Sequence, residues 1–211
     1  KIPKFIMYRP RHCILTSLEF DHADIFRDIE ELELWFSRLL RLVPSNGTVV
    51  YSSIYPHLKQ VMENCYSHSY SFGTTGSDYI YTVTKSGKNE IIELRGRGLD
   101  TPLRISTALF GDFNYQNIAA AAIMALRLGV PGQVIVEAVS AFKGVQRRQR
   151  LLYQSEYLHI YEDFAHHPTA IHQMLTAAAG RFPDAELVAV YEPRSATSRR
   201  NTFQAALCDA F

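Results

Sequence analysis

A chain of 211 residues holds one large domain or two small ones, and its 47% apolar and 12% aromatic content is that of a globular protein with a full core. With 22 basic and 21 acidic side chains, nothing in the charge balance demands nucleic acid or an anionic membrane as partner. No apolar run approaches membrane-spanning length.

In chain order, Arg11–Leu18 is a short apolar run suited to a buried strand, and it runs into the acidic turn Glu19-Phe-Asp-His-Ala-Asp24. A helix is predicted from about Asp24 to Leu42, with Ile25, Phe26, Ile29, Leu32, Trp35, Phe36, Leu39 and Leu40 at three- and four-residue spacing. Pro44-Ser-Asn-Gly47 stops it. A strand at Thr48–Tyr51, a short helix at Pro56–Asn64 and a strand at Ser69–Phe72 follow. The texture then changes. Tyr79–Thr84, Glu90–Leu94 and Leu103–Ala108 alternate and are separated by turn residues, which predicts an antiparallel meander attached to a parallel sheet. Helices return at Tyr115–Leu128 and Gly132–Phe142. Near Arg150 the pattern restarts: strands at Leu151–Tyr153 and Tyr157–Tyr161, a helix at Thr169–Gly180, a strand at Leu187–Tyr191 and a helix from about Ser198. This βαβα order predicts a second parallel α/β unit.

Five groups carry polar chemistry. Asp21, His22 and Asp24 lie where a strand gives way to a helix; they suit a divalent ion beside a phosphate, or a plain turn and N-cap. Asn114 and Asn117 stand three apart at a helix start, so two amides face one end; they suit a purine edge, or ordinary capping. Lys143-Gly-Val-Gln-Arg-Arg-Gln-Arg150 places arginines between the two units, as a nucleotide clamp or a polar linker. Tyr161-Glu-Asp-Phe-Ala-His-His-Pro168 delivers Asp163, His166 and His167 to a helix mouth, for ribose, phosphate or metal, or as surface caps. Arg194, Arg199 and Arg200 follow a strand end and suit a carboxylate. Cys13, Cys65 and Cys208 are far apart and lack zinc spacing, which fits a reducing cytoplasm.

Together the five groups, in this order, resemble the Mur ligase family of ATP-dependent ligases of bacterial cell-wall synthesis. The resemblance covers nearly the whole chain and implies two parts. Residues 1–149 would be a partial central ATPase-type α/β domain, and residues 150–211 the start of a Rossmann-like C-terminal domain. Glu19–Phe26, Glu162–Ile171 and Tyr191–Asn201 look most like the recycling member, which joins L-Ala-γ-D-Glu-meso-diaminopimelate to UDP-N-acetylmuramate in the cytoplasm. By resemblance His22 matches a Mg2+ ligand, and Asn114 and Asn117 match adenine contacts. Arg148 matches the arginine reaching the nucleotide, and Asp163 the ribose contact. Arg194 and Arg200 fall where relatives hold the incoming carboxylate. His166 and His167 would lie near the phosphates or the peptide.

The sequence also departs from the family pattern. It has no GxxGKT/S phosphate loop, Asp112-Phe113 replaces the Gly/Glu-His before the first Asn, and Phe36 falls where several relatives carry a carbamylated lysine. It begins without Met and ends at Phe211 within an apolar helical pattern, and so reads as a piece of a longer protein, itself inactive. The alternatives are the L-alanine-adding ligase of the same family, a metal-dependent hydrolase built on Asp163, His166 and His167, and a non-catalytic adenine-nucleotide-binding module.

Overall fold

A computed structural model of the chain describes residues 2–23, 25–86, 89–193 and 203–211. Asp24, Arg194, Arg199 and Arg200 lie outside the described residues. After a short 3-10 turn at Lys4–Tyr8, the elements run β1 (His12–Leu15), α1 (Ile29–Leu42), β2 (Thr48–Ser52), α2 (Pro56–Met62), β3 (His68–Phe72), β4 (Tyr79–Ser86), β5 (Asn89–Gly96), β6 (Leu103–Thr107), α3 (Asp112–Arg127) and α4 (Gly132–Ala141). Beyond a connector come β7 (Arg150–Gln154), β8 (His159–Glu162), α5 (Pro168–Arg181) and α6 (Gln204–Asp209).

Strands β1 to β6 form one sheet in sequence order. β1, β2 and β3 pair in parallel; β4, β5 and β6 are the predicted antiparallel meander. The two halves are joined through a single ladder pair, Phe72 with Tyr79. Because successive side chains alternate faces, β2 serves two cores. Val49 faces a cluster with Leu15, Leu18, Phe26, Leu40, Leu58 and Val61, under α1 and α2. Val50 faces the opposite cluster with Phe72, Tyr79, Ile92, Leu94, Ile105 and Ile123, under α3 and α4. Both valines are fully buried, each contributing about 2 kcal/mol by removal from water. Cys13 and Cys65 pack against the first cluster. Burial, with Cys65 nearby, pushes the Cys13 thiol up to about 11. Burial also raises Cys65, whereas Cys208 on α6 is exposed.

Two expectations are corrected. Helix α1 begins at Ile29, not Asp24, because the Asp28 carboxylate caps it by accepting from the Glu31 N–H at 2.8 Å. Ile25 and Phe26 belong to the preceding turn, where both their N–H groups donate to the His22 carbonyl. The spacing had joined two structures that share one apolar face. Beyond Arg150 the expected strand pair forms as β7 and β8, antiparallel, but the strand expected at Leu187–Tyr191 does not. Residues 187–191 enter no ladder with any described strand, and Val188 and Val190 are 75% and 96% exposed. A strand needs a hydrogen-bonded neighbour, and the described residues supply none there.

Candidate functional site

Helix α3 follows β6 through Phe110 and Gly111. Ala119, Ala120 and Ala122 are buried against the sheet and Ala121 faces a cleft, so the alanine run gives close packing as expected. The connector after α4 then brings β7, β8 and α5 back over the start of α3. Gly111 has φ +90°, and its Cα lies so close to α5 that a Cβ there would sit 2.8 Å from the Ala177 Cβ. The Arg181 guanidinium lies 3.6 Å from the buried Glu90 carboxylate, and Lys85 donates to the Gly180 carbonyl at 2.9 Å. The far end of α5 is thereby tied to the meander.

Between these parts lies a cleft of about 700 Å³. Asn114 and Asn117 from α3, Arg148 from the connector and Asp163 from the end of β8 all line it. Apolar side chains (Leu109, Phe113, Val139 and Phe142) complete one wall. The sequence therefore nominated four residues up to 49 positions apart, Asn114 to Asp163, that the fold gathers around one space. A second cavity of about 490 Å³ is lined by Glu19, Asp21, His22 and His167. Tyr55, Ser17, Arg148, Ala170 and Gln173 line both, so the two spaces adjoin.

Within the cleft the polar groups are strongly organised. The Asp163 side chain is 12% exposed. Its Oδ2 accepts from the Gln149 N–H and its Oδ1 from the Ala165 N–H, both at 2.8 Å, and the Arg148 guanidinium lies 3.9 Å away. Asp163 thus does cap the turn into α5, while its carboxylate still lines the cleft. Asn114 donates to the Phe110 carbonyl at 2.9 Å and to Gln149 Oε1 at 2.7 Å. The connector residue Gln149, which sequence reasoning passed over, is 8% exposed and sits at φ +47°. Its one available signal was a polar residue beside two arginines, which is also the signature of a linker. Tyr81 donates to Asp112 Oδ1 at 2.9 Å, and Gln116 donates to Asp112 Oδ2 at 2.7 Å. Burial first, then the Asp112 carboxylate, holds the Tyr81 phenol well above the usual range. Tyr55 is raised by burial, with Glu19 adding; both phenols are neutral donors at pH 7.

The histidines separate. His167 precedes α5 and donates from Nε2 to the Phe20 carbonyl at 3.2 Å, with Nδ1 3.7 Å from Glu19. The ring of His166 is tied by Nδ1 to the Phe164 carbonyl at 3.0 Å, and His166 lines neither cavity. His22 adopts φ +55°, its N–H donating to Asp21 Oδ1 at 2.6 Å. Among the described residues no group of three or more His, Cys, Asp or Glu side chains is arranged to hold a metal. The Asp21–His22 pair still fits Mg2+, which keeps several waters and substrate phosphates and does not need an all-protein cage.

The chain is similar to known proteins in sequence and in fold. The profile described as the Mur ligase middle domain matches residues 4–125, more than half of the chain. The UDP-N-acetylmuramate:L-alanyl-gamma-D-glutamyl-meso-2,6-diaminoheptandioate ligase of Escherichia coli (strain K12) is 34% identical over 210 residues, covering 99% of this chain and 44% of the relative. The UDP-N-acetylmuramate–L-alanine ligase of Desulfitobacterium hafniense (strain Y51) is 30% identical over 196 residues, covering 90% and 42%. The chain spans less than half the length of these relatives. In fold, the crystal structure of UDP-N-acetylmuramate-alanine ligase from Thermotoga maritima superposes with a TM-score of 0.76 at 19% identity, over 97% of this chain and 44% of that one. By sequence and by fold, this chain belongs to the Mur ligase family.

Proposed function

We propose that the full-length protein is an ATP-dependent amide-bond ligase of cell-wall recycling. It joins L-Ala-γ-D-Glu-meso-diaminopimelate to UDP-N-acetylmuramate, and this chain supplies the base and ribose part of the nucleotide site. The observation that carries the nucleotide reading is the single cleft lined by Asn114, Asn117, Arg148 and Asp163. Residues 1–149 are part of a central domain and residues 150–211 part of a C-terminal one, with the nucleotide held between them.

In this reading the apolar wall of Leu109, Phe113 and Val139 takes the base, and Asn114 and Asn117 meet its polar edge. Asp163 accepts from ribose hydroxyls, since a carboxylate has lone pairs beyond the two spent on backbone N–H groups. Arg148, shared by both cavities, stands where the base site passes into the space around His22, a position suited to phosphates. Asp21 and His22 would hold Mg2+, which offsets charge on a transferring phosphoryl group when bound. The muramate carboxylate takes the γ-phosphoryl group, releasing ADP. The tripeptide amine then attacks the acyl phosphate, and inorganic phosphate leaves as the amide forms. Arg194 and Arg200 are assigned to the incoming peptide's carboxylate, and His167 to the substrate side of the same space.

The choice of tripeptide over L-alanine is supported by the 34% identical relative, which bears the tripeptide ligase's name. The 30% identical relative bears the alanine ligase's name and supports the second reading. The full-length protein, given UDP-N-acetylmuramate and Mg-ATP, is expected to release ADP when tripeptide is added and not when L-alanine is added. Stimulation by L-alanine alone would select the second reading; stimulation by neither would reject both.

A further inference from the structure

We propose that Gln149 is a specificity-determining positioning residue, which makes the nucleotide site selective for a 6-aminopurine by locking, together with the Phe110 carbonyl, the end of the Asn114 amide that faces the cleft. The inference rests on the nucleotide reading above. Gln149 Nε2 donates to the Phe110 carbonyl at 2.8 Å, and the same carbonyl accepts from Asn114 Nδ2 at 2.9 Å. Gln149 Oε1 accepts from that Asn114 nitrogen at 2.7 Å. The three groups close a triangle in which the assignment of both amides is forced. A carbonyl oxygen can only accept, so nitrogen must face it from each side. That leaves the Gln149 oxygen toward the Asn114 nitrogen. Both hydrogens of the Asn114 amide are therefore spent within the protein, and what Asn114 offers the cleft is an oxygen.

An oxygen accepts from the exocyclic amino group of adenine and repels the 6-oxo group of inosine or guanine. The geometry that holds Gln149 is built for it. The residue is nine-tenths buried, adopts φ +47°, and its own N–H donates to Asp163 Oδ2 at 2.8 Å. A left-handed non-glycine backbone persists where surrounding bonds over-determine it. Gln149 thereby joins the base side of the cleft to the Asp163 side.

The test compares ATP, purine riboside triphosphate (hydrogen at position 6) and ITP (oxygen at position 6) by competition against fluorescent ADP on the full-length protein. The expected order for the wild type is ATP tightest, then purine riboside triphosphate, then ITP, with steps of about fivefold to tenfold, the value of one hydrogen bond. In Gln149→Met the Asn114 amide is held by the Phe110 carbonyl alone, one hydrogen bond fewer, and the preference for ATP over ITP is expected to fall about threefold to tenfold. Gln149→Glu, as a buried carboxylic acid, still accepts from Asn114 and donates its O–H to the Phe110 carbonyl, and is expected to keep the preference. Equal wild-type affinities for ATP and ITP, or an equal loss for both nucleotides in Gln149→Met, would overturn the proposal while leaving the nucleotide site standing. If Gln149→Met does not fold, the wild-type series and the Glu variant decide, and loss of the preference in a folded Glu variant overturns it. Failure of the wild type to bind any of the three rejects the nucleotide reading itself.

Discussion

Asp163→Asn is expected to weaken ATP binding by the full-length protein about 30- to 100-fold. The wild-type carboxylate uses one oxygen for the Gln149 N–H and the other for the Ala165 N–H. An amide has a single oxygen, so one of these donors would face an NH2 group instead. Hydrogen bonds to a charged group are worth about 1.5–3 kcal/mol, and the ion pair with Arg148 at 3.9 Å is lost as well. Some of that loss falls on the connector and some on the ligand, so two readouts are needed. Titration calorimetry with Mg-ATP reports the second and thermal unfolding the first. A lower Tm with unchanged ATP affinity would make Asp163 a turn cap and nothing more.

Gly111→Ala is expected to remove about 3 kcal/mol of stability, made of backbone strain and overpacking. The residue sits at φ +90°, ψ 140°, a conformation nearly reserved for glycine. A methyl group there would also meet the Ala177 Cβ at 2.8 Å and the Phe113 ring at 2.8 Å. Because Gly111 opens α3 and Ala177 lies on α5, the same methyl pushes apart the two helices that flank the cleft. ATP affinity should fall with the denaturation midpoint. Adding Ala177→Gly removes one clash and leaves the strained φ, so the double variant should regain about 1 kcal/mol and no more. Full recovery would show that the backbone strain is absent, and an undiminished midpoint in the single variant would refute both contributions.

Local patterns made the central part of the chain legible. Alternation in Tyr79–Thr84 and Glu90–Leu94, broken by turn residues, announced the meander, and it formed with longer strands. The alanine run and the paired asparagines of α3 announced a helix packed closely on one side and polar at its start. The grouping of Asn114, Asn117, Arg148 and Asp163 was legible only because the motifs occur in a known order; no spacing says that positions 114 and 163 meet. Gln149 escaped for the same reason. Its partners lie 39, 35 and 14 residues away, and a bond across such distances leaves no period in the sequence. The run at 187–191 failed differently. Its composition suits a strand, but a strand exists only with a neighbour, and composition carries no information about the neighbour.

The cysteines leave the chain with a ready chemical handle. Only a thiolate reacts readily with a maleimide. With its thiol raised to about 11, Cys13 is ionised in about one molecule in three thousand at pH 7.5, and Cys65 is shifted in the same direction. Cys208 stands on the surface of α6, beyond the connector. Trp35, the single tryptophan of this chain, lies on α1, before it. Brief labelling of Cys208 therefore pairs a dye on α6 with the indole on α1 within this chain. The separation of the two could then be followed in this chain by energy transfer.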